Sequence, residues 1–181
     1  MTVFKPVKLK PHIRQIRGIA FKPSEVTGAP FDGSIAILKA NNITDTGLDD
    51  SSLIYIDARK VKKDQLIKSG DILLAASSGS KKVIEKNIYF HKDYLGTFGA
   101  FCKLVRPKPE LHPEYLKHFF KTVYYRNAIE RSVQGVNINN LKNEHLDNLE
   151  IPLPLLNDQI RIAHLLSKVE RLIAQRKPLF A

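Results

Sequence analysis

The apolar positions of this chain change rhythm twice. Over the first two-thirds they come in short runs: "HIRQIRGIAF", "GSIAILKA", "GDILLAAS", "KKVIEKNIYF" and "GTFGAFCKLV". Each is rich in Ile, Leu, Val or aromatic residues and is set off by Gly, Asn, Asp or Lys, the pattern of strands in a mixed or antiparallel sheet. In the first run Ile13, Ile16 and Ile19 are spaced loosely enough to predict a kink at Gly18. "KPSEVTGAPFDG", "NNITDTGLDDSS" and "ASSGSKK" read as the turns between strands.

The period then lengthens. "HPEYLKHFFKTVYYRNAIERS" predicts one continuous helix, with Pro113 at its first position and Leu116, Phe119, Phe120, Val123 and Tyr124 along one face. That aromatic stripe is read as core packing. "QGVNINNLKNEHLDN" predicts a polar loop and a short helical turn, and "LEIPLP" is extended again. Pro152 and Pro154 lack an N–H, so this strand belongs at a sheet edge or leaves the domain. A final helix follows, with Asn157 or Asp158 as its cap and Pro178 as its stop. Its apolar residues Ile162, Leu165, Leu166, Val169, Leu172 and Ile173 form one stripe near the 3.5 period of a coiled coil. A rod of roughly 30 Å is marginal alone in water, so the stripe calls for a partner surface. The class is α+β, a mixed or antiparallel sheet with flanking helices. A domain is expected over residues 1–154 and a spacer or dimerisation helix over 155–181.

Charge sharpens this picture. The 181 residues carry 29 Lys and Arg against 18 Asp and Glu, a net +11, which points to a polyanionic partner. Between Arg59 and Lys92 nine basic residues face only Asp64, Asp71 and Glu85. Lys62, Lys63, Lys81, Lys82 and Lys86 of this run are candidates for phosphate contacts, as are Arg126, Arg131 and Lys142, which bracket "QGVNINN". Ser77, Ser78, Ser80, Gln134, Asn137, Asn139 and Asn140 lie beside them and have the side chains that read base edges. Any one of these is more simply a solvated loop residue; as a set beside positive charge they outline a DNA face.

Catalytic patterns are lacking. His12, His91, His112, His118, His145 and His164 are scattered without zinc-ligand spacing, and no metal is expected. There is no Walker loop or dinucleotide fingerprint, and "SSGS" has no base to activate a serine. The single Cys102 fits a reducing compartment, and no apolar stretch approaches a membrane span, so the expectation is a soluble cytoplasmic protein without membrane contact.

Three segments in order, "IRGIAFKPSE", "SGDILLAASSGS" and "GVNINNLKNEHLDNLEIPLPLLNDQIRIAHLLSKVERLIAQRK", resemble the DNA-specificity subunit of type I restriction-modification systems. The last is the most specific, through its strand-to-helix passage with Gln159. The resemblance implies a target recognition domain that reads half of a split site in double-stranded DNA. It also implies a non-catalytic subunit. Adenine methylation would belong to a methyltransferase partner that binds S-adenosylmethionine, and cleavage to an ATP-driven restriction subunit; this chain itself would hold no cofactor. Relatives of this kind carry two recognition domains and two longer helices. The chain is therefore expected to be a half-length subunit that pairs with a second copy through its helix, or a piece of a longer one. The competing reading is an interaction protein that docks to a methyltransferase or another specificity subunit through the same helix.

Overall fold

A computed structural model describes residues 4–78, 86–133 and 139–176, with the side chains of Ser78, Val133, Asn139 and Asn140 left aside. The strands are β1 (Pro6–Lys8), β2 (Ile13–Arg17), β3 (Val26–Thr27), β4 (Ser34–Leu38), β5 (Ile43–Thr44), β6 (Gly47–Leu48) and β7 (Ile54–Asp57). They continue as β8 (Ile72–Ala75), β9 (Ser77–Ser78), β10 (Asn87–Tyr89), β11 (Gly96–Phe98), β12 (Cys102–Pro107), β13 (Asn139–Asn140) and β14 (Glu150–Pro152). The helices are α1 (Pro113–Phe119), α2 (Val123–Val133), α3 (Asn143–Asp147) and α4 (Leu156–Arg176).

The architecture is α+β. The first sheet runs β10-β8-β12-β2 and is antiparallel throughout, with Leu104 opposite Leu73 on one side and Ile16 on the other. The second runs β11-β4-β7-β3; β11 lies parallel to β4 and the remaining pairs are antiparallel. Alternation explains why "ILLA" reads as an unbroken apolar run. Ile72 and Leu74 of β8 pack into the core under the helices, with Leu116, Phe120, Tyr125 and Ile129. Leu73 and Ala75 pack on the other face, with Leu38, Phe98 and Leu104. A strand covered on both faces needs apolar residues at every position.

The kink expected at Gly18 has a structural cause. Beyond β2 the chain crosses onto the second sheet: the Ile19 N–H donates to Phe98 O (2.9 Å), and Ile19 bridges Gly99 in parallel. A Cβ at Gly18 would overlap the Gly99 carbonyl, so only glycine lets the two backbones meet.

The single helix expected after Pro113 is two. α1 ends at Phe119 and α2 begins at Val123. Thr122 divides them, because its hydroxyl donates to Phe119 O (2.7 Å) and accepts from the Tyr125 N–H (3.1 Å), capping the second helix. The break resets the phase: Val123 and Tyr124, expected in the core, are exposed, while Tyr125 and Ile129 are buried. "LEIP" behaves as its prolines require. Among the described residues β14 pairs only with β1, with Pro152 opposite Pro6.

Residues 157 and 158 are not the final cap; α4 already includes Leu156, and the Asp158 and Gln159 N–H groups both donate to Leu155 O. α4 lies against α1, burying Gln159 and Ala163. Pro178 lies outside the described residues.

Candidate nucleic-acid interface

One end of the first sheet brings together four of the expected contact residues, Ser77, Ser78, Asn139 and Asn140. There β8 runs on into β9, and β9 pairs antiparallel with β13, setting Asn139 opposite Ser78 and Asn140 opposite Ser77. The Leu141 N–H continues the ladder to Ala76 O (2.7 Å). Two polar segments some sixty positions apart thus share one backbone ladder. Ser80, Lys81, Lys82, Gln134 and Asn137 lie outside the described residues.

A buried lysine holds the second segment in place. Lys103 of β12 has its ammonium donating to Leu141 O (2.8 Å) and Asn143 Oδ1 (2.7 Å). Burial pushes this ammonium down to about 8 against the pull of Asp147. Gln15 of β2 adds two bonds from its amide, to Asn143 O (3.0 Å) and Asp147 Oδ1 (2.7 Å). Neither residue is among the expected contacts. The available signal was a charge inside the apolar run "FCKLV", at a position that alternation places inside.

The cations divide between the two edges of the sheet. On the β10 edge Lys86, Lys121 and Arg126 line a cleft of about 370 Å³. Lys86 pairs with the exposed Asp45 (3.2 Å), a surface bridge worth little in water. Arg126 is exposed with one long bond to Lys121 O (3.5 Å), and Arg131 is exposed. Lys142 reaches Glu144 at 3.4 Å. Lys62 and Lys63 are exposed on the other edge, on the turn whose Gln65 bonds the Arg17 carbonyl of β2 (3.0 Å). Among the described residues no group of three His, Cys, Asp or Glu could hold a metal ion. Cys102 is buried and its thiol is pushed up to about 12, which suits packing and not nucleophilic chemistry.

α4 presents two chemically different faces. Toward the domain it is polar. The Gln159 side chain accepts from the His112 N–H (2.8 Å) and donates to Glu110 O (3.1 Å) and Pro154 O (2.9 Å). Further along, His118 Nε2 meets Ser167 Oγ (2.9 Å), and Glu170 pairs with Lys121 (2.7 Å), Lys117 (3.3 Å) and His118 (3.5 Å). Burial works to raise Glu170, but Lys121 and Lys117 outweigh it and hold the carboxyl below its ordinary range. Burial lowers His118 despite Glu170 beside it. Away from the domain the helix is apolar. Ile162 is half-buried, while Leu165, Leu166, Val169, Leu172 and Ile173 are 43–63% exposed. The expected stripe is present, and among the described residues nothing covers it. Among the described residues no helix is long and apolar enough to cross a membrane.

The α+β body thus carries a paired set of polar segments and a packed helix with an exposed apolar stripe. Residues 29–178 match the family described as "Type I restriction modification DNA specificity domain", and the chain belongs to that family. It is 38% identical over 160 residues to the StySPI type I restriction enzyme specificity subunit of Salmonella potsdam. It is 36% identical over 160 residues to the EcoKI specificity subunit of Escherichia coli. Each match covers 88% of this chain and 34% of the relative, so the chain spans about a third of those proteins. Among solved structures, the HsdS subunit from Thermoanaerobacter tengcongensis superposes with a TM-score of 0.73 at 18% identity, covering 98% of this chain and 40% of that one. The S subunit from M. genitalium does so at 0.61 and 16%. These two show a shared fold.

Proposed function

We propose that this chain reads one half of a split site in double-stranded DNA as the specificity component of a type I restriction-modification complex. It catalyses nothing itself and directs adenine methylation and restriction by partner subunits. The observation that carries this reading is the β9–β13 ladder, which joins Ser77–Ser78 to Asn139–Asn140; two residues before β9 the Ala75 N–H donates to the carbonyl of Lys86 (3.2 Å), which lines a cleft with Lys121 and Arg126. Cations suited to phosphate, together with segments whose sequence carries amides and hydroxyls, supply both halves of sequence recognition, position and readout. S-adenosylmethionine belongs to the methyltransferase in this scheme. Co-expression with a cognate methyltransferase, followed by mapping of methylated adenines, tests it. A defined half-site that changes when Asn139 or Asn140 is substituted supports it. Absence of duplex binding at low salt, alone and with the methyltransferase, overturns it.

A second reading follows from the uncovered stripe of α4: the helix docks to another helix, in a second copy or a longer specificity subunit. Leu166→Glu and Val169→Glu are then expected to abolish association and leave the thermal midpoint unchanged. Association that survives both changes removes this reading.

A further inference from the structure

A second recognition element stands beside the ladder. Phe101 occupies the turn between β11 and β12, and the residue is 69% exposed. Its backbone is fixed nonetheless: Phe101 O accepts from the Ala76 N–H (2.8 Å) and the Ser77 N–H (3.1 Å), and the Cys102 N–H donates to Gly99 O (2.9 Å). An aromatic ring held out in water on a rigid turn gains nothing for this chain's own core. The ring borders a concave surface of about 640 Å³, floored by Ile19, Ala40 and Cys102. Lys39, Asn41 and Ser77 supply its polar groups.

We propose that Phe101 and the hollow beside it contact the 5-methyl edge of a thymine in the major groove, making Phe101 a specificity-determining residue. This rests on the DNA-reading function above. Two observations select DNA as the occupant. Ser77 belongs both to this hollow and to the β9–β13 ladder, so the surface continues the proposed interface without a break. Among the described residues the one charged side chain lining it is Lys39, which has no ion-pair partner among them, and no acidic side chain lines it. An apolar side chain against the thymine methyl is an established form of base reading, and Asn41 carries the amide that pairs with adenine.

The test starts from a pool of random duplexes selected on the purified chain. Each thymine of the selected site is then replaced in turn by deoxyuridine, which lacks only the methyl. For the wild-type chain one replacement lowers affinity about fourfold, the equivalent of about 0.8 kcal/mol for a buried methyl. Phe101→Ala lowers affinity for the thymine duplex by the same factor and is indifferent to deoxyuridine at that position. Phe101→Leu retains part of the discrimination. The thermal midpoint is unchanged in both variants, because the ring is exposed. Deoxyuridine sensitivity that persists in Phe101→Ala overturns the assignment and leaves DNA reading intact; so does a selected site with no methyl-sensitive thymine. A Phe101→Ala chain that keeps its site but no longer captures a methyltransferase subunit turns the hollow into a protein-docking surface, against the proposal. A wild-type chain that selects no site removes the DNA reading and this inference together.

Discussion

Gln159→Leu is the sharpest probe of how the long helix is joined to the domain. The residue is 1% exposed, so leucine of similar size leaves little room for water to replace the lost amide. The substitution strands three main-chain groups: the His112 N–H, Glu110 O and Pro154 O. An unsatisfied buried polar group costs about 1–3 kcal/mol. The bond to Pro154 is fully buried and the other two are partly so, which suggests about 3 kcal/mol in all. For a chain of this length that is a fall in thermal midpoint of about 6–12 °C. Urea unfolding followed by circular dichroism measures it, and hydrogen exchange on α4 shows whether the helix loosens first. Asp158→Ala is the control one residue away, since the Asp158 carboxylate is exposed and pairs, among the described residues, with Arg161 at 3.7 Å, so the change should shift stability by less than about 0.5 kcal/mol. A loss under about 1 kcal/mol for Gln159→Leu, or equal losses for the two variants, refutes the claim that this side chain fastens the helix.

Lys103→Ala removes the ammonium that holds Leu141 and Asn143, and should cost about 2 kcal/mol in urea unfolding and loosen the β13 segment in hydrogen exchange. In the wild type the folded ammonium titrates near 8, below its unfolded value, so this group's contribution to stability should rise as pH climbs from about 8 toward the ordinary lysine range. Acid should act on the helix joint. Both His118 and Glu170 are lowered in the folded state, so stability from His118 begins to fall as pH drops through the ordinary histidine value. That from Glu170 falls further on, through the carboxylate range, and limited proteolysis of α4 across this window checks the order. In DNA binding, Lys86→Ala and Arg126→Ala should each reduce the slope of log affinity against log salt by about 0.9 if they meet phosphate, and leave it unchanged if they do not.

Local pattern revealed the strands of this fold well. "SIAIL" and "ILLA" are β4 and β8, and the prolines of "LEIPLP" correctly placed β14 at an edge. What period alone could not reveal was the break at Thr122. The apolar spacing continues across it, and the helix ends because one hydroxyl satisfies the backbone on both sides. Sheet order was equally hidden, since β4 finds its parallel neighbour β11 almost sixty residues away and nothing local encodes that choice. In the candidate site the amide- and hydroxyl-bearing residues were named in advance but as turn and loop positions; that Ser77–Ser78 and Asn139–Asn140 are paired strands was hidden, because a ladder is a property of two segments together. Lys103 and Phe101 reverse the usual expectation, a charge inside and an aromatic outside; the first is signalled by a charge within "FCKLV", while nothing local marks the second. Gln159 was part of the recognised motif; its three bonds to main-chain groups give that position its reason.

The β9–β13 ladder pairs two residues of each strand, and its strands share their fate. A substitution that tilts Ser77–Ser78 moves Asn139–Asn140 with it, so effects in one segment will depend on the residue present in the other. Changes of preference in such a surface should therefore arrive in pairs. Single substitutions would more often silence the reader than retrain it, and new specificities would be sought by varying both strands at once.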